Sequence, residues 1–219
     1  MTIVERQTLL KIALALNALI AAMEIGAVIF GVTTRSFTVF MYYTVLSNLL
    51  GGIACATCFI CELRELRQGT SLPNFARLLK YAASCCLLMT FIVVVFILAP
   101  AYYNAGMDGF YLLFGHRELF ITHLLGPLLV CTSYMLFEAD KTMTLKQSFA
   151  GFLPTLIYAA VAYPCNIAKL WHGPYPFFFV WEMPLWQSLA WFAALCVLSI
   201  GLCQIIRLLG RRVCLIVRC

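Results

Sequence analysis

Residues 37–62 read FTVFMYYTVLSNLLGGIACATCFICE, a run apolar enough to cross a membrane that nonetheless carries Thr44, Ser47 and Asn48 inside it. At about 100° per residue these three side chains share one helical face. Thr44, Asn48, Gly51, Cys55 and Cys58 also align as a seam of small or polar groups, while Leu46, Leu49, Leu50, Ile53, Phe59 and Ile60 cover most of the remainder. Lipid offers no partner to a hydroxyl or a carboxamide, so such a seam turns towards protein, and its small residues let neighbouring helices approach.

The whole chain has the same character. Of its 219 residues, 63% are hydrophobic and 11% charged, with a mean hydropathy of +0.95. That composition leaves too little polar surface for a soluble domain. A spanning helix needs about 20 apolar residues, and the hydropathy pattern predicts a single all-α, polytopic domain of six spans, near residues 8–32, 37–62, 75–99, 118–138, 146–165 and 185–209. With this threading, 12 of the 15 Lys and Arg residues fall on the side of the two termini, among them Arg64, Arg67, Arg77 and Lys80 of the second loop. The positive-inside rule then places both termini in the cytoplasm. The net charge of +6 is read as topology, and no basic patch interleaved with aromatics points to nucleic acid. Eight of the 11 cysteines fall within predicted spans and Cys165 ends the fifth at the outer face, so they are expected as small core residues rather than as disulfides.

Two further spans carry polar groups. The first has Asn17 and Glu24 seven residues apart on one face; a carboxylate at that depth costs on the order of 3 kcal/mol to insert and calls for a partner, a proton or a function. The fourth, RELFITHLLGPLLVCTSYMLFE, carries His123 with Pro127 four residues on. The proline removes a backbone donor and is expected to leave the His123 carbonyl without its helical partner. Counted from the outer ends of their predicted helices, Glu24, Thr44 and His123 all lie roughly 8 to 12 Å deep at 1.5 Å per residue. Thr44, Asn48 and His123 are therefore expected to converge in one pocket, with Glu24, Tyr158 and Tyr163 as support or wall. A threonine hydroxyl beside a neutral imidazole has the parts for acyl transfer: the base takes the hydroxyl proton, the oxygen attacks a carbonyl, and donors such as Asn48 or Ser47 stabilise the oxyanion.

The aromatic outer loop from Ala101 to Arg117 suits an interfacial belt or a hydrophobic lid over a pocket, and the belt is expected. The loop after the fifth span, NIAKLWHGPYPFFFVWEMP, is expected to lie in or on the outer membrane surface, with His172 as a solvated loop residue. The terminal Cys219 does not form a prenylation box. No phosphate-cradling glycine loop, G-x-S-x-G elbow or H-E-x-x-H pair occurs, and the Cys55, Cys58 and Cys61 spacing fans around one helix, so no metal or cofactor is expected.

FMYYTVLSNLL in the second span, THLLGPLL in the fourth, LPTLIYAAVAYP in the fifth and the PYPFFF that follows together resemble bacterial six-span integral membrane proteins related to the androgen-induced-gene family. Its animal members are intramembrane threonine hydrolases of fatty acid esters of hydroxy fatty acids. The resemblance covers roughly residues 37–180. It implies a six-helix bundle with cytoplasmic termini in the bacterial cytoplasmic membrane, a threonine nucleophile at Thr44 in the Tyr43–Thr44 context, and an essential histidine at His123. The expected activity is hydrolysis or transfer of a lipid acyl ester admitted from the outer leaflet, with Tyr43, Tyr158 and Tyr163 at the pocket, membrane lipids as surroundings and the oligomeric state left open. The alternative is a small-molecule binding or transport subunit using the same polar seam.

Overall fold

The computed structural model describes residues 3–171 and 175–218; His172 and Cys219 lie outside the described residues. Among the described residues all regular structure is helical: α1 (Ile3–Arg35), α2 (Tyr43–Gln68), α3 (Asn74–Asn104), the short α4 (Gly109–Phe114), α5 (Arg117–Glu138), α6 (Leu145–Gly151), α7 (Leu153–Ile167) and α8 (Leu185–Arg218). Five of these helices are long and apolar enough to cross a membrane, and α6 with α7, bent by 43° at their junction, would make a sixth span. The protein is thus an all-helical, multi-pass integral membrane protein.

Small residues set how closely α1, α2 and α5 approach. A Cβ built on Gly51 would meet Leu87 and Val130, and one on Gly52 would meet Ile25 and the Cβ of Glu24. Interfaces of this kind are typical of membrane helices, where close van der Waals contact rather than water exclusion drives association. The tightest contact joins α1 to α5, because a Cβ on Gly126 would overlap the carboxylate of Glu24. Both Glu24 oxygens are buried without a hydrogen-bond partner.

The second helix begins later than hydropathy predicts. Ser36 turns the chain with φ 66°, residues Phe37–Met41 form a 3-10 turn, and Tyr42 is extended before α2 starts at Tyr43. Phe37 to Tyr42 carry no charge or proline, so a hydropathy window runs through them. Tyr158 holds this turn by donating its hydroxyl to the Met41 carbonyl at 2.8 Å. Thr44 consequently stands in the first turn of its helix rather than seven residues along it.

The second departure concerns Lys80, counted above as a loop cation. It is fully buried in α3. Its ammonium donates to Asn17 Oδ1 at 2.6 Å and Ser133 Oγ at 2.7 Å and pairs with Glu138 Oε2 at 2.8 Å. The Asn17 carboxamide in turn donates to Glu138 Oε1 at 2.9 Å and to Glu62 Oε2 at 3.0 Å. One ammonium, two carboxylates, an amide and a hydroxyl from α1, α2, α3 and α5 thereby form one network towards the end of the bundle that carries the termini. This network absorbs Asn17, and it explains how charged groups are tolerated there: two hydrogen bonds hold the ammonium and the Glu138 carboxylate balances its charge. Arg77, from the same predicted loop, pairs with Asp140 at 3.0 Å.

Candidate active site

The polar residues of the opposite end are positioned by a break in α5. Residues Ile121–Leu125 form a π-helical turn, in which the Gly126 N–H reaches back five residues to Ile121. Pro127 has no N–H to give. The carbonyl left without a helical donor is therefore that of Thr122, one residue before the one predicted, because the π turn shifts the register by one. Asn48 of α2 fills the vacancy, donating Nδ2 to Thr122 O at 3.1 Å and to its own Thr44 O at 2.6 Å. Turns of this kind recur at functional sites, and here the turn presents His123.

The His123 ring lies 2.7 Å, through Nδ1, from the carbonyl of Leu113 in α4. A carbonyl can only accept, so Nδ1 carries the hydrogen and Nε2 keeps its lone pair. Phe114 packs edge-on against the same ring, with centroids 6.1 Å apart. The segment from Ala101 to Arg117 accordingly divides: Tyr103, Phe110 and Tyr111 are exposed as a belt would be, while Leu113 and Phe114 fold inward and orient the histidine.

His123 and Thr44 line one cavity of about 220 Å³, which also receives Tyr175, Thr122 and, towards its rim, Arg35 and Glu118. Tyr175 comes from the loop expected on the membrane surface. The expectation fails because Tyr175, Phe177 and Phe178 are all buried, packed in one apolar cluster with Tyr158, Ala162 and Leu202. The Tyr175 hydroxyl oxygen accepts from the Thr44 N–H at 3.3 Å and lies 3.4 Å from Thr44 Oγ1. The Thr44 N–H is one of the donors that the first turn of a helix leaves unpaired. Burial pushes the Tyr175 phenol up to about 12, so it keeps its proton at neutral pH.

On the other side of Thr44 lies a second cavity of about 60 Å³, walled almost wholly by apolar groups. Tyr43, Tyr158 and Tyr163 all line it. Tyr43 is held by a 2.7 Å hydrogen bond to Thr155 Oγ1, and the Tyr163 hydroxyl is buried without a partner. Tyr43 and Tyr158, in edge contact at 5.2 Å, also form part of a large apolar groove of about 770 Å³ between α2, α3 and α7. The two tyrosines therefore stand between this groove and the small cavity.

Three of the residues expected at the pocket are placed elsewhere. Asn48 spends both amide hydrogens on carbonyls, so it braces α2 against α5 and has no donor left for an oxyanion. Ser47 donates to Thr44 O at 2.9 Å and meets Thr90 at 2.9 Å, on the α3 side of the helix. Glu24 packs on Gly52 and Gly126 and lines neither cavity. Conversely, sequence reasoning passed over Tyr175 and the Leu113 carbonyl. The signal for Tyr175 was the PYPFFF run itself; a backbone carbonyl carries no signal. Among the described residues no three His, Cys, Asp or Glu side chains gather as a metal-binding group. A further polar cavity of about 150 Å³, lined by Arg6, Glu62, Glu65 and Arg77, opens at the terminal end. No protein-family model, curated protein or solved structure matches this chain.

Proposed function

We propose that the protein is an intramembrane hydrolase or acyltransferase of lipid esters, of the kind the resemblance to the androgen-induced-gene family implies, with Thr44 as nucleophile and His123 as general base. The reading rests chiefly on one observation: the Leu113 carbonyl fixes His123 in the tautomer whose Nε2 can accept a proton, and that imidazole shares a cavity with the Thr44 hydroxyl. Nε2 takes the Thr44 proton as Oγ1 bonds to the acyl carbon. The carbon–oxygen bond to the alcohol then breaks, and the imidazolium returns its proton to the departing alkoxide. Water, deprotonated by the same imidazole, cleaves the acyl-threonine to release the carboxylic acid and restore the hydroxyl. The proton of Tyr175 and the N-terminal dipole of α2 face the oxygen on which negative charge develops, replacing Asn48 and Ser47 in that role. The apolar cavity beyond Thr44 accommodates acyl carbons. In this reading α6 with α7 forms the sixth span, and the termini face the cytoplasm.

The test is labelling of purified protein with an alkyl phosphonate that traps activated hydroxyl groups. Label on the parent that disappears in both Thr44→Ala and His123→Ala supports the mechanism. Absence of label on the folded parent, or label on both variants equal to that on the parent, overturns it. The solute-binding alternative, in which the same polar seam holds a small molecule, predicts a stoichiometric bound solute instead.

A further inference from the structure

An ester has two halves, and the two cavities that meet at Thr44 differ in chemistry. The inner one is walled by aromatic and aliphatic groups and suits the acyl chain. The outer one carries Arg35 and Glu118 on the same wall set as His123, and so receives the alcohol half. Arg35 is the last residue of α1, and its side chain is 57% exposed. Its contact with Glu118 is 3.4 Å, against 24% exposure for the Glu118 side chain. A well-formed guanidinium–carboxylate hydrogen bond is shorter, near 2.7–2.9 Å, and an exposed pair of this kind contributes little to stability. The pair is therefore easily exchanged for a ligand group. A guanidinium presents a planar fork matched to phosphate oxygens. Ending α1 with Arg35 places that fork at the mouth of the cavity that holds His123 and Thr44. Once Arg35 turns to an anion, the carboxylate of Glu118 is left facing the same space, complementary to a cation.

Resting on the hydrolase reading above, we infer that the substrate is the acyl ester of a zwitterionic glycerophospholipid, with Arg35 on its phosphate, Glu118 towards its amine and the reacting carbonyl at Thr44. Arg35 is then a specificity-determining residue. The step is the one already described: the acyl carbon passes from the glycerol oxygen to Thr44 Oγ1, the glycerol oxygen receives the proton held on His123, and water releases the fatty acid. The products are a lysophospholipid and a carboxylic acid.

The experiment measures fatty-acid release by the full chain in detergent micelles containing one of three esters with matched acyl chains: phosphatidylethanolamine, diacylglycerol, or an acyl ester of a hydroxy acid bearing a free carboxylate. Rates are normalised to Thr44-dependent phosphonate labelling, so that unfolded protein is not counted. A charged hydrogen bond is worth about 10- to 100-fold. The expected result is a preference of that size for phosphatidylethanolamine over diacylglycerol in the parent, lost in Arg35→Gln and partly kept in Arg35→Lys. Equal rates for these two esters in the parent, or an equal loss on both in Arg35→Gln, overturn the inference while leaving the hydrolase reading intact. An Arg35-dependent preference for the free carboxylate over the phospholipid overturns the assignment to phosphate. A parent that neither labels nor cleaves any ester overturns the hydrolase reading and this inference together.

Discussion

Replacing Lys80 by methionine removes the one cation of the buried network while keeping much of the side-chain volume. In the parent the ammonium meets Asn17 Oδ1, Ser133 Oγ and Glu138 Oε2, all within 2.8 Å, and both charged side chains are inaccessible to solvent. The variant leaves two carboxylates joined through Asn17 with no opposing charge. Removing one partner of a buried pair costs about 3 to 5 kcal/mol. At about 2 to 4 °C per kcal/mol for a chain of this size, that corresponds to a fall in melting temperature of roughly 6 to 20 °C. Removing both charges, in Lys80→Met with Glu138→Leu, eliminates the uncompensated carboxylate of the pair and should recover most of the loss, since buried pairs are often neutral against apolar replacements. The assay is thermal unfolding of detergent-purified protein, read for the parent, both single variants and the double. A Lys80→Met shift below about 2 °C, or single-variant losses that simply add in the double, would refute the argument that these groups form one coupled network.

Tyr175→Phe removes the proposed oxyanion donor and should slow phosphonate labelling by about 10²- to 10³-fold with little change in melting temperature; unchanged labelling kinetics would remove Tyr175 from the mechanism. Gly126→Ala places a methyl group against the Glu24 carboxylate and should destabilise by about 1 to 3 kcal/mol, whereas Gly26→Ala, where a Cβ meets nothing within 4 Å, should not; equal unfolding midpoints for the two variants would contradict the close contact of α1 and α5. At Asp140, burial acts to raise the carboxyl, but the Thr142 backbone N–H and hydroxyl and the Arg77 guanidinium outweigh it and hold the group below its ordinary value. A depressed carboxyl adds stability that is full above the unfolded value near 3.9 and is lost as pH falls through the lower folded value. Unfolding midpoints measured from pH 7 down to pH 3 should therefore show an acid limb in the parent that is shallower in Asp140→Asn.

Hydropathy and spacing alone made this chain a helical membrane protein, because burying a backbone in lipid leaves few solutions and 63% apolar residues leave no aqueous one. They also singled out Thr44 and His123, since a hydroxyl and an imidazole inside apolar runs need an interior. Composition could not say which polar neighbours were already engaged. Asn48 and Ser47 carry suitable donors, yet one closes the carbonyl that Pro127 strands at Thr122 and the other bonds within its own helix and to α3. Lys80 reads as a loop cation until α1, α2 and α5 bring Asn17, Glu62 and Glu138 around α3, far apart in the chain. Tyr175 reads as interfacial until its loop folds back onto the first turn of α2. The sequence by itself determined the helical class, the approximate spans and the two candidate groups Thr44 and His123, through local periodicity and the solvation cost of each residue. The tertiary structure decided which groups those two meet, because hydrogen bonds between helices depend on register and close approach that no single helix encodes.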